Sequence, residues 1–292
     1  MKIIHSYWTK PYLSKENDNI GGWSSNLFHY MSCALSCLST NKFYDIELVT
    51  DNKGVELFID KMQLPYSSVK VVLNDLDGYN TDLWALGKIY TYSIQDEPFL
   101  HIDNDFFIWD AFKTNILNAN LVGQHLEIGY KHNELFFDDI LTNLSYIPEV
   151  MLQRNIIDKG VLEVNAGILG GRNISFFKEY TKEAFYFVER NLNQISKLKH
   201  KGMFNTIFEQ YLFYCLAHEL NETVEFLIND DVDDRFLGLA DFWSVPYNLK
   251  YIHTVGFYKK FYMIGEQISQ RLWFEYPEYY ERIVQLYKKG LI

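Results

Sequence analysis

Two aspartates near the middle of the chain, Asp103 and Asp105, have the type and spacing that can bind a divalent cation. They follow an apolar run, residues 99–102, that predicts a buried strand, and a second apolar run, residues 106–109, comes next. Residues two apart on a strand face the same side, so we expect both carboxylates to converge on one Mg²⁺ or Mn²⁺ ion. The alternative is an acidic turn whose side chains cap backbone N–H groups. The apolar flanks favour the cation site.

A second polar motif lies near the end of the chain, where His253 is followed by Gly256 and Lys259. A neutral imidazole is a good ligand for a Mn²⁺-type ion. The glycine would let the backbone approach a phosphate closely, and the lysine would stabilise charge on a departing diphosphate. A single histidine after a strand is more often structural, so the ligand role of His253 depends on this spacing and on the upstream acids.

These motifs resemble those of GT-A glycosyltransferases. The strand followed by Asp-x-Asp looks like the metal-binding motif of that fold, and residues 253–259 are similar to the His-x-x-Gly-x-x-Lys motif of glycosyltransferase family 8. In family 8 a Pro-Trp pair usually follows, whereas this chain has Lys260 and Phe261. The opening segment, residues 2–8, is similar to the first strand of glycosyltransferase family 32.

The resemblance implies a metal-dependent hexosyltransferase. Asp103, Asp105 and His253 would be the metal ligands, with Asp103 also contacting the donor, and Gly256 and Lys259 would contact its diphosphate. It implies Mn²⁺ or Mg²⁺ as cofactor and a nucleotide-sugar donor. UDP-hexose is preferred, and the N-terminal similarity leaves a GDP donor open. Because the similar families retain the anomeric configuration, we expect retention by front-face attack.

The middle of the chain supplies candidates for the donor-sugar and acceptor region. Residues 164–171 resemble the Asn-Ala-Gly strand of many GT-A enzymes, in which the Asn, here Asn165, meets sugar hydroxyls. The alternative is a Gly-rich strand packed on another backbone. Analogy also places Glu209 and Gln210 near the reacting carbon, and with Lys259 they are the predicted catalytic residues. A solvent-facing Glu-Gln pair on a helix is the alternative.

Weaker candidates complete the predicted binding set. Asp51, Asp82 and Lys88 could contact the base, the ribose or the sugar. Tyr7 and Trp8, at the end of the first predicted strand, could stack on a nucleobase, because aromatic rings offer flat faces with one polar edge.

The elements that must position these residues alternate along the chain. Apolar patterns predict strands at 3–8, 44–50, 69–73, 99–102, 121–126, 166–170 and 224–228, and residues 251–253 lie before a Gly-containing loop. Helical spacing predicts helices at 26–40, 55–62, 83–93, 174–191 and 204–219. We therefore predict an α/β fold of the Rossmann-like GT-A type, with a mixed, mainly parallel sheet flanked by helices. We expect a single domain, residues 1–292, with a nucleotide-binding half, 1–110, and a donor-sugar and acceptor half, 111–292.

Composition narrows the functional classes. The chain has 292 residues, 48% of them hydrophobic, so a sizeable core is expected. A net charge of -11 without a basic stripe argues against nucleic-acid binding. The cysteines, Cys33, Cys37 and Cys215, are too few for a disulfide framework and indicate a reduced compartment. Neither a signal peptide nor a membrane-spanning run stands out, so a cytoplasmic protein is expected.

The expected partners are a nucleotide-sugar and a glycan acceptor, with bacterial surface polysaccharide as one candidate acceptor. The aromatic and basic tail, residues 270–289, includes a last helix that Pro277 opens. Peripheral membrane contact through this helix is one reading, and docking on the domain is preferred. Two other functions stay open: a metal-dependent nucleotidyltransferase or phosphohydrolase, and a non-catalytic carbohydrate-binding protein. The sequence contains no phosphate-binding Gly-Lys loop that would favour the former.

Overall fold

The computed structural model describes residues 1–13, 20–128, 130–229 and 237–292. The strands in this part of the chain are β1 (Lys2–Tyr7), β2 (Ile46–Thr50), β3 (Ser68–Val71), β4 (Phe99–Ile102), β5 (Phe106–Ile108), β6 (Leu121–Gly123), β7 (Leu126–Glu127), β8 (Glu163–Val164), β9 (Ile168–Gly171), β10 (Val224–Phe226) and β11 (Tyr251–His253). The α-helices are α1 (Lys10–Leu13), α2 (Asn26–Asn41), α3 (Asn52–Gly54), α4 (Leu86–Ser93), α5 (Thr114–Asn118), α6 (Lys131–Asn143), α7 (Glu149–Asp158), α8 (Ile174–Asn191), α9 (Phe204–Thr206), α10 (Leu212–Glu219), α11 (Tyr262–Glu275) and α12 (Pro277–Lys288).

The chain forms two compact units that interleave in sequence. The first unit consists of Met1, Asp82–His101 and Lys113–Phe236, and the second of Lys2–Thr81, Ile102–Phe112 and Leu237–Ile292. The predicted functional halves, 1–110 and 111–292, stay a prediction.

In the second unit, the strands follow the order β1-β2-β3 and run parallel. Helix α2 begins where Ser25 accepts a hydrogen bond from the Leu27 N–H at 3.3 Å, as expected of an N-cap residue. Helix α12 has Pro277 in its first turn and packs against α2 and α11. The last helix is therefore docked on its own unit, as the sequence analysis preferred for the tail. Membrane contact through this helix stays a prediction.

In the first unit, the strands follow the order β10-β6-β9-β4. Strand β10 is parallel to β6, and β6 is antiparallel to β9. Helix α4 packs against α8, and α10 packs against α7. Strand β9 needs glycine at Gly170, because a Cβ atom there would lie 2.2 Å from the carbonyl oxygen of Phe99. Strand β9 is therefore packed closely on another backbone, which was the alternative interpretation of the Gly-rich segment 164–171.

The predicted fold class is confirmed: the protein is α/β, with a mixed, mainly parallel sheet flanked by helices. Two short antiparallel ladders, β5 with β11 and β7 with β8, complete the strand pairing of the described residues. No helix in the described ranges is both long enough and apolar enough to cross a bilayer.

Several predicted elements differ in detail. The strand predicted at 121–126 is divided into β6 and β7, because the Gln124 N–H between them turns to the carbonyl of Asn165. The strand predicted at 166–170 begins only at Ile168, because the Asn165 side chain accepts the Gly167 N–H at 3.0 Å and closes a turn. The sequence analysis did not predict α6 or α7.

Two predicted helices contain π-helical turns, in which each N–H bonds to a carbonyl five residues earlier. One turn spans Val55–Lys61 and the other spans Ile207–Tyr211, the second of which lies between α9 and α10. The second carries Glu209 and Gln210. π-Helical turns occur frequently at functional sites.

Candidate active site

Asp103 and Asp105 follow β4 as predicted, but they lie in the turn between β4 and β5, where strand alternation does not apply. The Phe106 N–H donates to the carbonyl of Asp103 at 3.0 Å, which closes the turn and directs the chain into β5. The argument from strand alternation was therefore wrong about how the two carboxylates come together. A turn reverses the chain between them, and it is this reversal that lets both approach one point.

Two serines one helical turn apart on α2 hold this turn. Ser36 Oγ donates to the carbonyl of Asp103 at 3.0 Å, and Ser32 Oγ donates to that of Asn104 at 3.0 Å. Asn104 in turn donates through Nδ2 to the carbonyl of Ser6 at 2.8 Å. Sequence reasoning missed these supports, although two serines four residues apart on a largely apolar helix are a detectable signal.

The β5–β11 ladder brings His253 to the aspartates. In its register His253 faces Phe106, and the Thr254 N–H donates to the carbonyl of Asp105 at 3.0 Å. His253 Nε2 consequently lies 3.3 Å from Oδ1 of Asp105 and 3.9 Å from Oδ2 of Asp103. Residues from two distant parts of the sequence thus meet at one place.

These three side chains fit a divalent cation. One ligand atom from each lies within 4.8 Å of the others. Atoms bound about 2.1 Å from an octahedral ion are about 3.0 Å apart when adjacent and about 4.2 Å apart when opposite, and the two measured distances fall in that range. Two carboxylates and one imidazole are a donor set that Mn²⁺ accepts. We refer to Asp103, Asp105 and His253 as the acid–imidazole group.

Lys259 adds a positive charge to the acid–imidazole group by pairing with the Asp105 carboxylate. Burial raises the pKa of Asp105, but the Lys259 ammonium and the His253 imidazole outweigh burial and hold this pKa well below its usual range. Gly256 adopts the left-handed region, with φ 46°, and a Cβ atom there would meet nothing within 4 Å. The backbone at Gly256 is therefore open to a close approach by a ligand.

Asp51 lines a cavity at the carboxyl ends of β1 and β2. The cavity measures about 320 Å³, the lower end of the range for small-molecule sites, and Thr9, Lys10 and Asn74 also line it. Asp51 is largely committed to the protein, because it accepts hydrogen bonds from the Thr9 N–H at 2.7 Å and from the Gly54 N–H at 2.8 Å. It caps α3, and its binding role stays a prediction.

Tyr7 and Trp8 are each 2% exposed. The Tyr7 ring stacks on Tyr12 with centroids 4.8 Å apart, and its hydroxyl forms a 2.8 Å hydrogen bond with His29 Nε2. The stacking of either residue on a nucleobase stays a prediction, and for Tyr7 it would require the ring to leave these contacts.

In the first unit, a second group of predicted residues forms around Glu209. Lys88 Nζ lies 2.9 Å from Glu209 Oε1 and donates to the carbonyl of Ala166 at 3.1 Å. The Tyr92 hydroxyl donates to the same Glu209 oxygen at 3.2 Å. Glu209 and Gln210 are 1% and 8% exposed, so the solvent-facing alternative for this pair is wrong. The π-helical turn places both side chains inside the unit.

Gln210 and Asn165 also belong to this second group, which we call the Glu209 group: Lys88, Asn165, Glu209 and Gln210. Gln210 Oε1 accepts the Ala166 N–H at 3.2 Å. Asn165 Nδ2 donates to Glu127 Oε1 at 2.8 Å. The structure thus brings together four residues that the sequence singled out separately, and it adds Glu127, which the sequence analysis missed.

Asp82 contributes to the first unit through its backbone. Its carbonyl accepts a hydrogen bond from Asn205 Nδ2 at 2.7 Å. A role of the Asp82 side chain in donor binding stays a prediction.

The fold and the acid–imidazole group define an α/β protein with a candidate divalent-cation site. Its family is shown by sequence: the model of a family of unknown function, DUF6734, matches residues 1–286, and the chain belongs to that family. None of the curated protein sequences compared with the chain matches it.

Several solved structures are similar at a low level. The galactosyltransferase LgtC in complex with donor and acceptor sugar analogues is 14% identical, covers 71% of this chain and 70% of its own, and has a TM-score of 0.37. The glycosyltransferase GlyE of Streptococcus pneumoniae TIGR4 is 11% identical over 99% of this chain and 64% of its own, with a TM-score of 0.39. Mouse xyloside xylosyltransferase 1 in its apo form is 11% identical over 86% of this chain and 96% of its own, with a TM-score of 0.42. Similarity this low assigns no activity to this chain.

Proposed function

We propose that this protein is a metal-dependent glycosyltransferase of the GT-A type. It transfers a hexose from a nucleotide-sugar, with UDP-hexose as the first candidate, to a hydroxyl of a glycan acceptor, and it retains the anomeric configuration. The observation that carries the proposal is the meeting of Asp103, Asp105 and His253, with Lys259 beside them. The resemblance of their two motifs to those of known glycosyltransferases supports the choice of reaction.

The acid–imidazole group would hold Mn²⁺ or Mg²⁺ in this proposal. A bound cation would act as a Lewis acid toward the diphosphate as it leaves. Lys259 would supply a further positive charge at the same diphosphate. Its pairing with Asp105 supports this role, because it holds the ammonium beside the acid–imidazole group. The backbone at Gly256 would approach a phosphate oxygen, which the open space on that side allows.

The nucleoside part of the donor would use the cavity beside Asp51. This cavity lies at the carboxyl ends of parallel strands, where ligands of open α/β sheets bind. Lys10, which lines it, donates to the backbone carbonyl of Tyr79 at 2.9 Å and is therefore held in place. Tyr7 and Trp8 would take part only after a rearrangement of their surroundings.

The Glu209 group would meet the donor sugar. Asn165 and Gln210 would supply amide groups to sugar hydroxyls or to the reacting carbon, because hydrogen bonds to neighbouring groups hold both amides in place. Glu209 is enclosed by Lys88 and Tyr92, so it would act by holding Lys88 and the turn after β8. Its catalytic contribution would then be indirect.

Donor hydrolysis by the purified protein tests the proposal. The protein is treated with EDTA and supplied with UDP-glucose, UDP-galactose or GDP-mannose, with or without Mn²⁺, and the released nucleotide is measured. We expect Mn²⁺-dependent release of a nucleoside diphosphate from one donor. His253→Gln should remove the metal dependence, whereas His200→Gln, at an exposed histidine, should leave it intact.

The identity of the product separates the functional classes. A nucleoside diphosphate with free or transferred sugar supports sugar transfer, because the bond from the anomeric carbon is broken. A nucleoside monophosphate with a sugar phosphate would instead show cleavage inside the diphosphate and a phosphohydrolase. Equal release with EDTA and with Mn²⁺ would also contradict the proposal.

A further inference from the structure

Two glutamates face each other on the β7–β8 ladder of the first unit. Antiparallel pairing sets Glu127 opposite Glu163. Side chains directly opposite on such a ladder have Cβ atoms about 4.5–5.5 Å apart, and like charges there destabilise the pairing. Glu163 is only 1% exposed, so water cannot screen the repulsion. A buried pair of this kind is stable when one of the two carboxyl groups keeps its proton.

The other groups around Glu163 do not supply a compensating cation. The Thr206 hydroxyl of α9 donates to Glu163 Oε1 at 3.4 Å, and this bond is neutral on the donor side. Glu209 of the π-helical turn adds negative charge, and Lys88 is already paired with it. Within the described ranges, Glu163 takes part in no ion pair.

Two further titratable groups lie nearby. The Cys215 thiol of α10 interacts electrostatically with Glu163, and burial raises its pKa, so it stays neutral. His125 Nε2 lies 3.8 Å from Glu127 Oε1, so the imidazole faces Glu127. The surroundings of the two glutamates therefore differ: polar groups contact Glu127, whereas Glu163 is the more deeply buried of the two. Burial first, and then Glu127, raises the pKa of Glu163 well above its usual value.

Glu127 is connected to Asn165 through its carboxylate. Asn165 Nδ2 donates to Glu127 Oε1 at 2.8 Å, while Asn165 Oδ1 accepts the Gly167 N–H at 3.0 Å. These two bonds set which end of the amide points in each direction, because the donor and acceptor ends cannot exchange without breaking both. If Glu163 ionised, repulsion would push Glu127 away from the place where it holds this amide.

We propose that Glu163 is kept as a neutral carboxylic acid opposite the Glu127 carboxylate, and that the pair is a positioning device that fixes the Asn165 amide. The importance of that amide for sugar transfer rests on the proposed function. The protonation of Glu163 and the orientation of the Asn165 amide do not depend on the proposed function, so both can be measured in the absence of any activity.

The first experiment follows glutamate carboxyl carbons by NMR in the full-length protein, labelled with ¹³C at glutamate. At neutral pH we expect one carboxyl carbon with the shift of a protonated acid, and this signal should be absent from Glu163→Gln. Glu219→Gln, at an exposed position, is the control and should keep the signal. Ordinary acidic titration of every glutamate in the folded protein would overturn the proposal.

Thermal unfolding gives an independent measure of the same proton. Because the pKa of Glu163 is raised in the folded state, its contribution to stability is complete below the usual glutamate pKa of about 4.3 and is lost as the pH rises through the folded value. The melting temperature of the wild type should therefore fall relative to that of Glu163→Gln between acidic and alkaline pH. A constant difference between the two proteins across this range would contradict a buried neutral Glu163.

The positioning role is tested at Glu127. Glu127→Ala should shift the ¹⁵N and ¹H signals of the Asn165 side-chain amide and, in the active enzyme, lower kcat by about tenfold or more while KM changes less. Glu127→Gln keeps an oxygen that accepts from Asn165, so it should restore most of both. In the wild type, ionisation of Glu163 at alkaline pH should displace Glu127 and lower kcat. Glu163→Gln cannot ionise, so it should keep the neutral-pH kcat and show no such decline. Unchanged Asn165 signals in Glu127→Ala would overturn the positioning role whether or not transfer is detected.

Discussion

The two units of the protein each contain a lysine–carboxylate pair, and the surroundings of the two acids differ. In the second unit, Lys259 pairs with Asp105, and ligand atoms of Asp103 and His253 lie close by. In the first unit, Lys88 pairs with Glu209, whose Oε1 also accepts from Tyr92. Asp105 has neighbours that could bind a cation together with it, whereas Glu209 is surrounded by hydrogen-bond donors.

This difference indicates that the acid–imidazole group is suited to bind a cation and that the Glu209 group is suited to support the structure. An acid with a second carboxylate and an imidazole nearby is stabilised by a multivalent cation, because Coulomb repulsion between the acids is removed when the ion binds. An acid that already accepts from an ammonium and a hydroxyl gains little from a further cation. We therefore expect substitutions in the acid–imidazole group to affect chemistry first, and substitutions in the Glu209 group to affect stability as well.

The largest expected effect is the loss of metal-dependent transfer in Asp105→Asn. The amide is a weaker ligand than the carboxylate, so turnover with Mn²⁺ should fall about 1,000-fold or more, which corresponds to about 4 kcal/mol of transition-state stabilisation. Donor turnover and Mn²⁺ binding by calorimetry measure the change. Asp110→Asn, at an exposed aspartate shortly after β5, is the matched control. Near-normal turnover of Asp105→Asn would remove the distinction drawn between the two acids.

The next effect is a loss of stability in Glu209→Gln. The substitution leaves the Lys88 ammonium, whose side chain is 12% exposed, without its carboxylate, and breaking such a buried pair costs about 3 kcal/mol or more. Urea unfolding should show this loss, whereas Glu219→Gln at the exposed end of α10 should show none. The double variant Glu209→Gln with Lys88→Met should recover much of the stability, because it leaves no unpaired charge.

That double variant also decides what the Glu209 group does. If the group is a support, turnover should stay low after stability returns, because Lys88 no longer holds the carbonyl of Ala166. Full recovery of turnover together with stability would show that the pair has no part in the reaction beyond folding.

The smallest effect is a dependence of stability on pH at Asp105 in the presence of EDTA. The pKa of Asp105 is lowered in the folded state, so its contribution to stability is present above the usual aspartate pKa of about 3.9 and is lost as the pH falls below it. The wild type should melt a few degrees above Asp105→Asn at neutral pH, and the difference should shrink in acid. An unchanged difference in acid would mean that Lys259 and His253 do not stabilise the Asp105 carboxylate.

The sequence predicted much of the architecture because the relevant patterns are local. Strand β4 and helix α8 have the predicted bounds, because a short apolar run marks the strand and helical spacing persists through the helix. The sequence analysis missed α6 and α7. It also explained the convergence of Asp103 and Asp105 by strand alternation, because periodicity does not register a turn that hydrogen bonds from a distant helix support.

The motifs also singled out candidates that the structure brings together, without showing what surrounds them. Residue types and spacing were sufficient to single out Asp103, Asp105 and His253, because ligand chemistry is a property of the side chains themselves. Nothing in the sequence indicated that Lys259 pairs with Asp105, or that the Tyr7 ring is enclosed by other aromatic side chains. Those facts depend on which helices and strands pack together.

By itself, then, the sequence determined the α/β class, the approximate positions of most strands and the three candidate ligands, since all of these follow from local patterns and side-chain chemistry. Only the tertiary structure decided the charge environment of each acid. Glu163 is a polar residue in a strand when seen in sequence, and it becomes a buried acid opposite Glu127 only through the β7–β8 register. Burial and cross-strand neighbours set the balance between ionised and neutral forms, and both arise from contacts between residues far apart in the chain.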